Sequence, residues 1–282
     1  MIILQVLSED TSTCQGIIPE HGLSIFIKTQ SVRILFDTGA SSLFWENALR
    51  MGIDPSQVDR VVISHGHSDH GGGLATFLER NRTAAVYLSD HAFESHWSRH
   101  ESEWLDVGLN PSLKNHPQIV KVDEMSSLDD SMDIFGKVKG TRFLPSRNVN
   151  LFKGEPENRI PDDFGHEIHL RIRDGNQSIL LIGCAHRGVV NILDDYQRRF
   201  RSYPGHVIGG FHFSSRSTSS GENPEVIRKV AEYLKSTGST FHTGHCTGEE
   251  AFELMKPIMG SSLRKITAGD IIKIQMEETN EF

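Results

Sequence analysis

Three imidazoles and a carboxylate, His65, His67, Asp69 and His70, fall within six consecutive positions directly after the apolar run Val61-Val62-Ile63. Imidazole and carboxylate are the side chains that hold zinc, manganese and iron, and the small residues Gly66 and Ser68 between them let a loop fold around an ion. Gly71 to Gly73 follow and keep bulk away from that loop. A chance surface cluster of histidines rarely sits at the exit of a buried strand with a carboxylate in phase, so metal binding is the chemistry expected here. Spacing divides the donors. His65 and His67 alternate along an extended backbone and face one side, where they could hold one ion, while Asp69 and His70 follow a turn and could hold a second. Two ions ~3.5 to 4 Å apart make hydroxide from a bridging water and steady a leaving oxygen, so hydrolysis of a phosphoester or acyl group is the natural use.

Other polar residues recur at the same kind of place, immediately after an apolar run. Asp37 follows Ile34-Leu35-Phe36, Cys184 and His186 follow Ile179 to Gly183, His212 follows Val207 to Phe211, and His245 and Cys246 follow Phe241 to Gly244. Ends of neighbouring strands converge, so five such ends could build one site from remote parts of the chain. The remaining candidates have plainer readings. His91, His96, His100 and His116 scatter over expected helices and loops and read as surface histidines. His21 beside Gly22 suits either a turn or the site, and Trp97 and Trp104 either line a lid or simply pack.

The elements that must position these residues are short. Ile2 to Leu7, Leu23 to Lys28, Val32 to Phe36 and Val58 to Ile63 read as strands by length and β-branched content. Ser42 to Met51 reads as a helix stopped by Gly52, Leu74 to Arg80 as a helix, Ala84 to Leu88 as a strand and Asp90 to Arg99 as another helix. Residues 101 to 163 mix prolines, asparagines and short apolar runs, as loops over a cleft do and as ordinary connections between small strands also do. Ile168 to Ile172, the turn Asp174-Gly175-Asn176 and Ser178 to Ile182 predict a hairpin. Helices at Val189 to Phe200, Pro224 to Lys235 and Glu249 to Met259 then alternate with strands at His206 to Ile208, Thr240 to His242 and Ile271 to Gln275. Both halves carry strands with interposed helices, which predicts an α/β fold of two sheets with helices outside.

Composition narrows the function classes. With 282 residues, 37% hydrophobic and 23% charged, the chain can bury a substantial core and is expected to be globular. A net charge of -8 argues against a general nucleic-acid binder, and the compact basic group Arg198, Arg199 and Arg201 reads as a solvated helix end. Met1 to Ser8 reads as a first strand rather than a secretory leader, and no window reaches the ~20 apolar residues of a membrane span. Three scattered cysteines, Cys14, Cys184 and Cys246, make no disulfide framework and suit a reducing cytoplasm.

The segment His65-Gly66-His67-Ser68-Asp69-His70 resembles the HxHxDH motif of the metallo-β-lactamase superfamily, and Leu35-Phe36-Asp37-Thr38-Gly39 resembles its first motif. The resemblance implies a four-layer αββα sandwich with a metal site between the two sheets at one edge, and a single such domain over 1–282 with a cleft-covering insertion around 101–163. A finer resemblance, to the dihydropterin ribofuranosylaminobenzene phosphate synthases, is carried by several further segments. These are Glu20-His21-Gly22-Leu23-Ser24, Ser64 to Leu74, Gly183 to Asn191, Gly209-Gly210-Phe211-His212 and His245-Cys246-Thr247-Gly248.

Carried over by residue, the resemblance implies metal ligation by His65, His67, Asp69 and His70, with His186 added to the first ion and His245 to the second. Many relatives place an acidic bridging ligand where this chain has Gly183-Cys184; Cys184 either replaces that acid as a thiolate or is a packed small hydrophobe. Asp37 is expected to orient a ligand histidine through its free ring nitrogen. His212 is expected to contact a substrate phosphate or to act as an acid toward the leaving group, unless a backbone carbonyl satisfies it. His166, in Phe164-Gly165-His166-Glu167, is a reserve ligand. Asp69 and His212 are the expected catalytic residues.

The expected cofactors are two divalent ions, zinc first, with manganese and iron also suited. The expected function is a binuclear hydrolase using metal-bound hydroxide on a small phosphoester or phosphodiester. Alternatives are the pterin-dependent synthase chemistry of the finer resemblance and a non-catalytic metal-binding sensor. An iron oxidoreductase is disfavoured, because diiron flavoprotein relatives carry glutamate where this chain has His67. The expected partner is a small phosphorylated substrate, with no membrane or nucleic acid and with a homodimer open.

Overall fold

The computed structural model describes residues 1–175, 177–214 and 221–275, so the Asn176 position of the expected turn lies outside the described residues. Two seven-stranded sheets form the frame. In spatial order the first comprises Ile271–Ile274, Ile2–Ser8, Ser24–Lys28, Arg33–Phe36, Arg60–Val62, Ala85–Ser89 and Ile119–Val122. The second comprises Leu263–Lys265, Thr240–Thr243, His206–Ile208, Gln177–Leu181, Ile168–Asp174, Met132–Gly136 and Met125–Asp129.

Alternation along the strands explains the layering. In Arg33–Phe36, Ile34 and Phe36 enter a core shared by the two sheets, while Leu35 enters a second core under the helices Leu43–Arg50 and Leu74–Arg80. In Gln177–Leu181, Ile179 and Leu181 enter the shared core, and Leu180 packs beneath Val189–Phe200, Pro224–Ser236 and Glu249–Met259. Strands buried on both faces read as continuous apolar runs, which is why these segments lack a polar face in the sequence. The result is the expected αββα sandwich. Among the described residues no helix is long and apolar enough to cross a membrane.

Each sheet is half antiparallel and half parallel. Arg33–Phe36, Arg60–Val62 and Ala85–Ser89 run parallel in the first sheet, with Leu35 opposite Val61 and Phe36 opposite Val62. Gln177–Leu181, His206–Ile208 and Thr240–Thr243 run parallel in the second, with Leu181 opposite Ile208 and Ile208 opposite His242. Parallel strands bring their carboxyl ends to one edge, where open α/β sheets place their ligands. Asp37, His65, Cys184, His212 and His245 therefore leave the sheets together.

Within 101–163, Ile119–Val122, Met125–Asp129 and Met132–Gly136 belong to the two large sheets. A separate four-stranded sheet orders Ile160–Pro161, Leu151–Lys153, His96–His100 and Glu103–Asp106. Two expectations fail here. Asp90 to Arg99 is not a helix but a turn leading into the strand His96–His100, whose His96 and Ser98 alternate inward and pair with Lys153 and Leu151. His96 is accordingly not a surface residue; it is fully buried. Trp97 and Trp104 pack on this small sheet under the Arg159 guanidinium, 4.2 and 4.5 Å from their rings, and neither lines the main cavity. Arg198 and Arg199 both pair with Asp195, one turn back on their own helix.

His169, in Ile168–Asp174, is buried against Phe135 at 5.1 Å, and neither ring nitrogen has a hydrogen-bond partner among the described residues. Burial pushes its pKa from 6.5 down to about 3. The folded state thus resists a proton that the unfolded chain accepts, so this residue costs stability progressively as pH falls from 6.5 toward 3. His169→Phe should therefore lose less stability than the wild type between pH 7 and pH 4.5, by at most ~2.7 kcal/mol. Urea midpoints at the two pH values check this, and parallel losses would refute it.

Candidate metal centre

The chain turns sharply at the strand ends that carry polar residues. Asp37, Ala185, His212 and His245 have φ of 59°, 56°, 53° and 49°, left-handed conformations that non-glycine residues rarely adopt and that gather at functional sites. Gly209 permits one of these turns: a Cβ there would meet the Ile182 carbonyl oxygen at 2.0 Å. Ser68–Gly71 forms a single helical turn that carries Asp69 and His70 away from His65 and His67.

Among the described residues five overlapping groups of side chains could hold a metal ion, and two of them adjoin beneath the cavity. His65, His67 and His186 form one, with the Nε2 atoms of His65 and His186 3.3 Å apart. Asp69, His70, Cys184 and His245 form the other. In it, His70 Nε2 lies 3.0 Å from Cys184 Sγ, 3.2 Å from His245 Nε2 and 3.6 Å from Asp69 Oδ2, and His245 Nε2 lies 3.2 Å from Asp69 Oδ2. Ligands at ~2.0 to 2.3 Å around a tetrahedral zinc stand ~3.3 to 3.8 Å from one another, so these separations fit a divalent ion. The rings of His65 and His70 are 4.2 Å apart, which sets the groups side by side.

Hydrogen bonds behind the rings decide which nitrogens face inward. Asp37 Oδ2 accepts from His70 Nδ1 at 2.7 Å, and Asp10 Oδ1 from His245 Nδ1 at 2.6 Å. Ser64 Oγ donates to Asp37 at 2.8 Å and so accepts from His65 Nδ1 at 2.9 Å. Asn148 donates its amide N–H to the His186 carbonyl at 2.7 Å, leaving Oδ1 to accept from His186 Nδ1 at 3.2 Å. In His65, His70, His186 and His245 the proton is thereby placed on Nδ1 and the lone pair on Nε2, as a metal-binding imidazole requires. His67 differs, because its Nε2 is the buried nitrogen without a partner among the described residues.

Electrostatics agree with this donor set. Burial, reinforced by neighbouring imidazoles, holds His65, His67 and His186 well below the usual histidine range, so they are neutral. Burial opposes charge on His70 and His245 too, but Asp69 with Asp37, and Asp10 with Asp69, raise their pKa values. Partial burial raises the Asp69 carboxyl, yet His70 and His245 hold it well below the carboxylate range. Positive charge is therefore favoured beside Asp69, and a divalent cation would supply it in place of protons. Burial pushes the Cys184 thiol up.

A cavity of about 250 Å³ opens over the donors. Ser68, Ser98, His100 and Ser214 give it a polar wall, and Val107 and Leu151 an apolar one. His212 also lines it, with its ring 4.1 Å from His186 and both ring nitrogens unpartnered among the described residues.

The fold thus brings together His65, His67, Asp69, His70, His186 and His245, with Cys184 among them and His212 beside them. Asp37 lies in neither group and bonds His70 from behind. His21 lines the cavity, with Nδ1 on Asp10 Oδ2 at 2.8 Å. His166 is not among the donors of these two groups but shares a further potential metal-holding group with His67, His96 and Asp162. Sequence reasoning missed Asp10, Asn148, His96 and Asp162. Asp10 had a signal, since it closely follows the strand Ile2–Ser8 as the other site residues follow theirs.

Comparison with known proteins agrees with this architecture. The sequence model of the metallo-beta-lactamase superfamily matches residues 17–227. The chain is 27% identical over 273 residues to a 7,8-dihydropterin-6-methyl-4-(beta-D-ribofuranosyl)-aminobenzene-5'-phosphate synthase of Methanocaldococcus jannaschii, covering 90% of each protein. It is 25% identical over 266 residues to an uncharacterized protein of the same organism, covering 94% of this chain and 96% of that one. Among solved structures it resembles Tm1679, a metal-dependent hydrolase of the beta-lactamase superfamily, with a TM-score of 0.82, 28% identity and coverage of 98% and 100%. With the family model matching most of its length, over a sandwich whose edge gathers two groups of metal donors, the chain belongs to the metallo-β-lactamase superfamily.

Proposed function

We propose that this protein is a binuclear metal-dependent hydrolase of a small phosphoester or phosphodiester. His65, His67 and His186 would hold one ion, and Asp69, His70, Cys184 and His245 the other. The observation that carries this reading is the common orientation of four imidazoles, each anchored through Nδ1 so that Nε2 faces one of two adjoining donor groups. Zinc suits a set of imidazoles, carboxylate and thiol, and manganese or iron suits its nitrogen and oxygen members. Bound divalent ions supply Lewis acidity, which makes water nucleophilic at neutral pH and stabilises a leaving oxygen.

The chain's own groups supply the rest. Asp69, ionised between His70 and His245, would help hold the ion and orient the attacking water as a hydrogen-bond acceptor. The hydroxyls of Ser68, Ser98 and Ser214 donate to the non-bridging oxygens of the ester. His212, whose ring nitrogens have no hydrogen-bond partner among the described residues, would give a proton to the leaving oxygen. The small sheet walls the cavity through Ser98, His100 and Leu151.

The second reading is synthase chemistry, favoured by the relative of that name at 27% identity over 90% of both chains. Incubation with a dihydropterin and an aminobenzene ribosyl phosphate separates the two: a condensed pterin product favours the synthase, and an alcohol released from a phosphoester favours the hydrolase.

Elemental analysis after loading with zinc should find about two ions per chain, and about one in His245→Ala; equal content in both proteins would sink the assignment of His245. His212→Gln should keep both ions and lose kcat ~100-fold or more on alkyl phosphodiesters. Nitrophenyl esters should suffer far less, because their leaving group needs no proton; equal losses on both would exclude His212 as the acid. Asp37→Ala should weaken the ion held by His70 by ~10 to 100-fold, as read by chelator competition.

A further inference from the structure

The second donor group draws on both large sheets. Asp69 and His70 follow the strand Arg60–Val62 of the first sheet, whereas Cys184 and His245 follow strands of the second. Donors carried on two sheets meet one ion only if the sheets are held in fixed relation at this edge. Beside the first group the backbone of the metal loop keeps that relation. Ile168 donates its amide to the Ser64 carbonyl at 2.7 Å, and Gly66 donates its amide to His166 Nδ1 at 2.9 Å. Beside the second group the link runs through side chains that follow the first strand, Ile2–Ser8. Asp10 takes the ring of His245, and the buried acid Glu9 takes its backbone.

Glu9 Oε1 accepts the His245 amide at 2.5 Å, while Oε2 accepts the Thr11 amide at 2.6 Å and the Thr11 hydroxyl at 2.8 Å. One oxygen is thus fixed by the residue's own turn and the other holds the opposite sheet. The main chain of Glu9 reaches the far side of the group. Its carbonyl accepts the Glu20 amide at 3.1 Å, and Leu23, shortly after, donates its amide to the Asp69 carbonyl at 3.2 Å. Two glycines permit these approaches. A Cβ on Gly22 would stand 2.4 Å from the Asp69 carbonyl oxygen, and one on Gly244 would stand 2.7 Å from Glu9 Oε1. Glu9 therefore joins the segment behind Asp69 to the amide of His245, and the ligand atoms of those two residues stand 3.2 Å apart. His245 also has a left-handed backbone, a conformation that persists only where its surroundings hold it. We infer that Glu9 is a positioning residue for the second ion, holding the His245 backbone from the opposite sheet so that Asp69 and His245 meet one ion. This rests on Asp69 and His245 being ligands of that ion, as proposed above. Glu9 does not line the cavity. Without it, the buried His245 amide loses its acceptor and the turn loses its hold.

Chelator competition on zinc-loaded protein tests this, the second zinc being identified by its loss in His245→Ala. In Glu9→Leu the second zinc should bind ~10 to 100-fold more weakly, with the first within about 2-fold of wild type. Glu9→Gln, whose carbonyl oxygen can still accept from His245, should bring the second zinc back to within about 5-fold, a rescue that filling the same space with leucine would not give. In protein labelled with 15N-histidine, the His245 amide proton, assigned by its loss in His245→Gln, should move upfield in Glu9→Leu as its short hydrogen bond to a carboxylate is lost. Should Glu9→Leu fail to fold, Gly244→Ala, whose Cβ displaces Glu9 Oε1, should weaken the second zinc at least ~3-fold with the first unchanged. Equal weakening of both ions in Glu9→Leu, or wild-type affinity for both in a folded Glu9→Leu, would overturn the inference while leaving His245 a ligand. A second zinc held as tightly in His245→Ala as in the wild type would overturn the ligand assignment and the role of Glu9 together.

Discussion

An imidazole binds a metal only through the nitrogen that lacks a proton, and the edge of this sandwich is organised by that constraint. Each inward-facing histidine needs a partner behind it that takes or forbids the proton on the other nitrogen. Those partners are strand-end and loop residues, Asp10, Asp37, Ser64 and Asn148, and two of them, Asp37 and Asn148, are themselves fixed on the backbone of Ser64 and His186. Asp37 shows how closely fold and site are joined. Its left-handed backbone turns the chain out of Arg33–Phe36, while its two carboxylate oxygens hold the Ser64 amide and hydroxyl of the neighbouring parallel strand and the ring of His70.

The same constraint explains where charge resides. Acids surround the site at Asp10, Asp37, Asp69 and Asp162, and the histidines between them divide by neighbourhood. Those deep among other imidazoles are neutral, and those beside Asp69 attract protons. Glu167 is a buried acid of another kind. It accepts the backbone amides of His186 and Arg187, yet burial still pushes it up to about 7. It steadies the loop that carries His186.

Much of this was legible in the sequence, because local rules governed it. Apolar runs of strand length, helix boundaries such as Gly52 and polar residues at strand exits pointed to both sheets and to the gathering of His65, His67, Asp69, His70, His186 and His245 at one edge. The missing residues depended on distant pairing. His96 lies in a segment whose composition suited a helix. Its burial comes from pairing with Lys153, more than fifty residues on, and from a carboxylate at Asp162 in a polar loop. Asn148 sits in a stretch with no periodicity, so nothing local marked it as the partner of His186.

The cavity draws its walls and its reactive groups from different parts of the chain. Ser98, His100, Val107 and Leu151 belong to residues 96–153, whereas the donor groups come from strand ends on either side of that stretch. Substrate range and bond-breaking chemistry can therefore be inherited separately: the small sheet can be lengthened, reshaped or exchanged in descent while the donors stay fixed. One thread limits that freedom. His96 and Asp162, bonded to each other, lie at the margins of the exchangeable stretch, with the His96 ring 5.5 Å from that of His67, so a lineage that remodels the walls also alters the packing behind that donor.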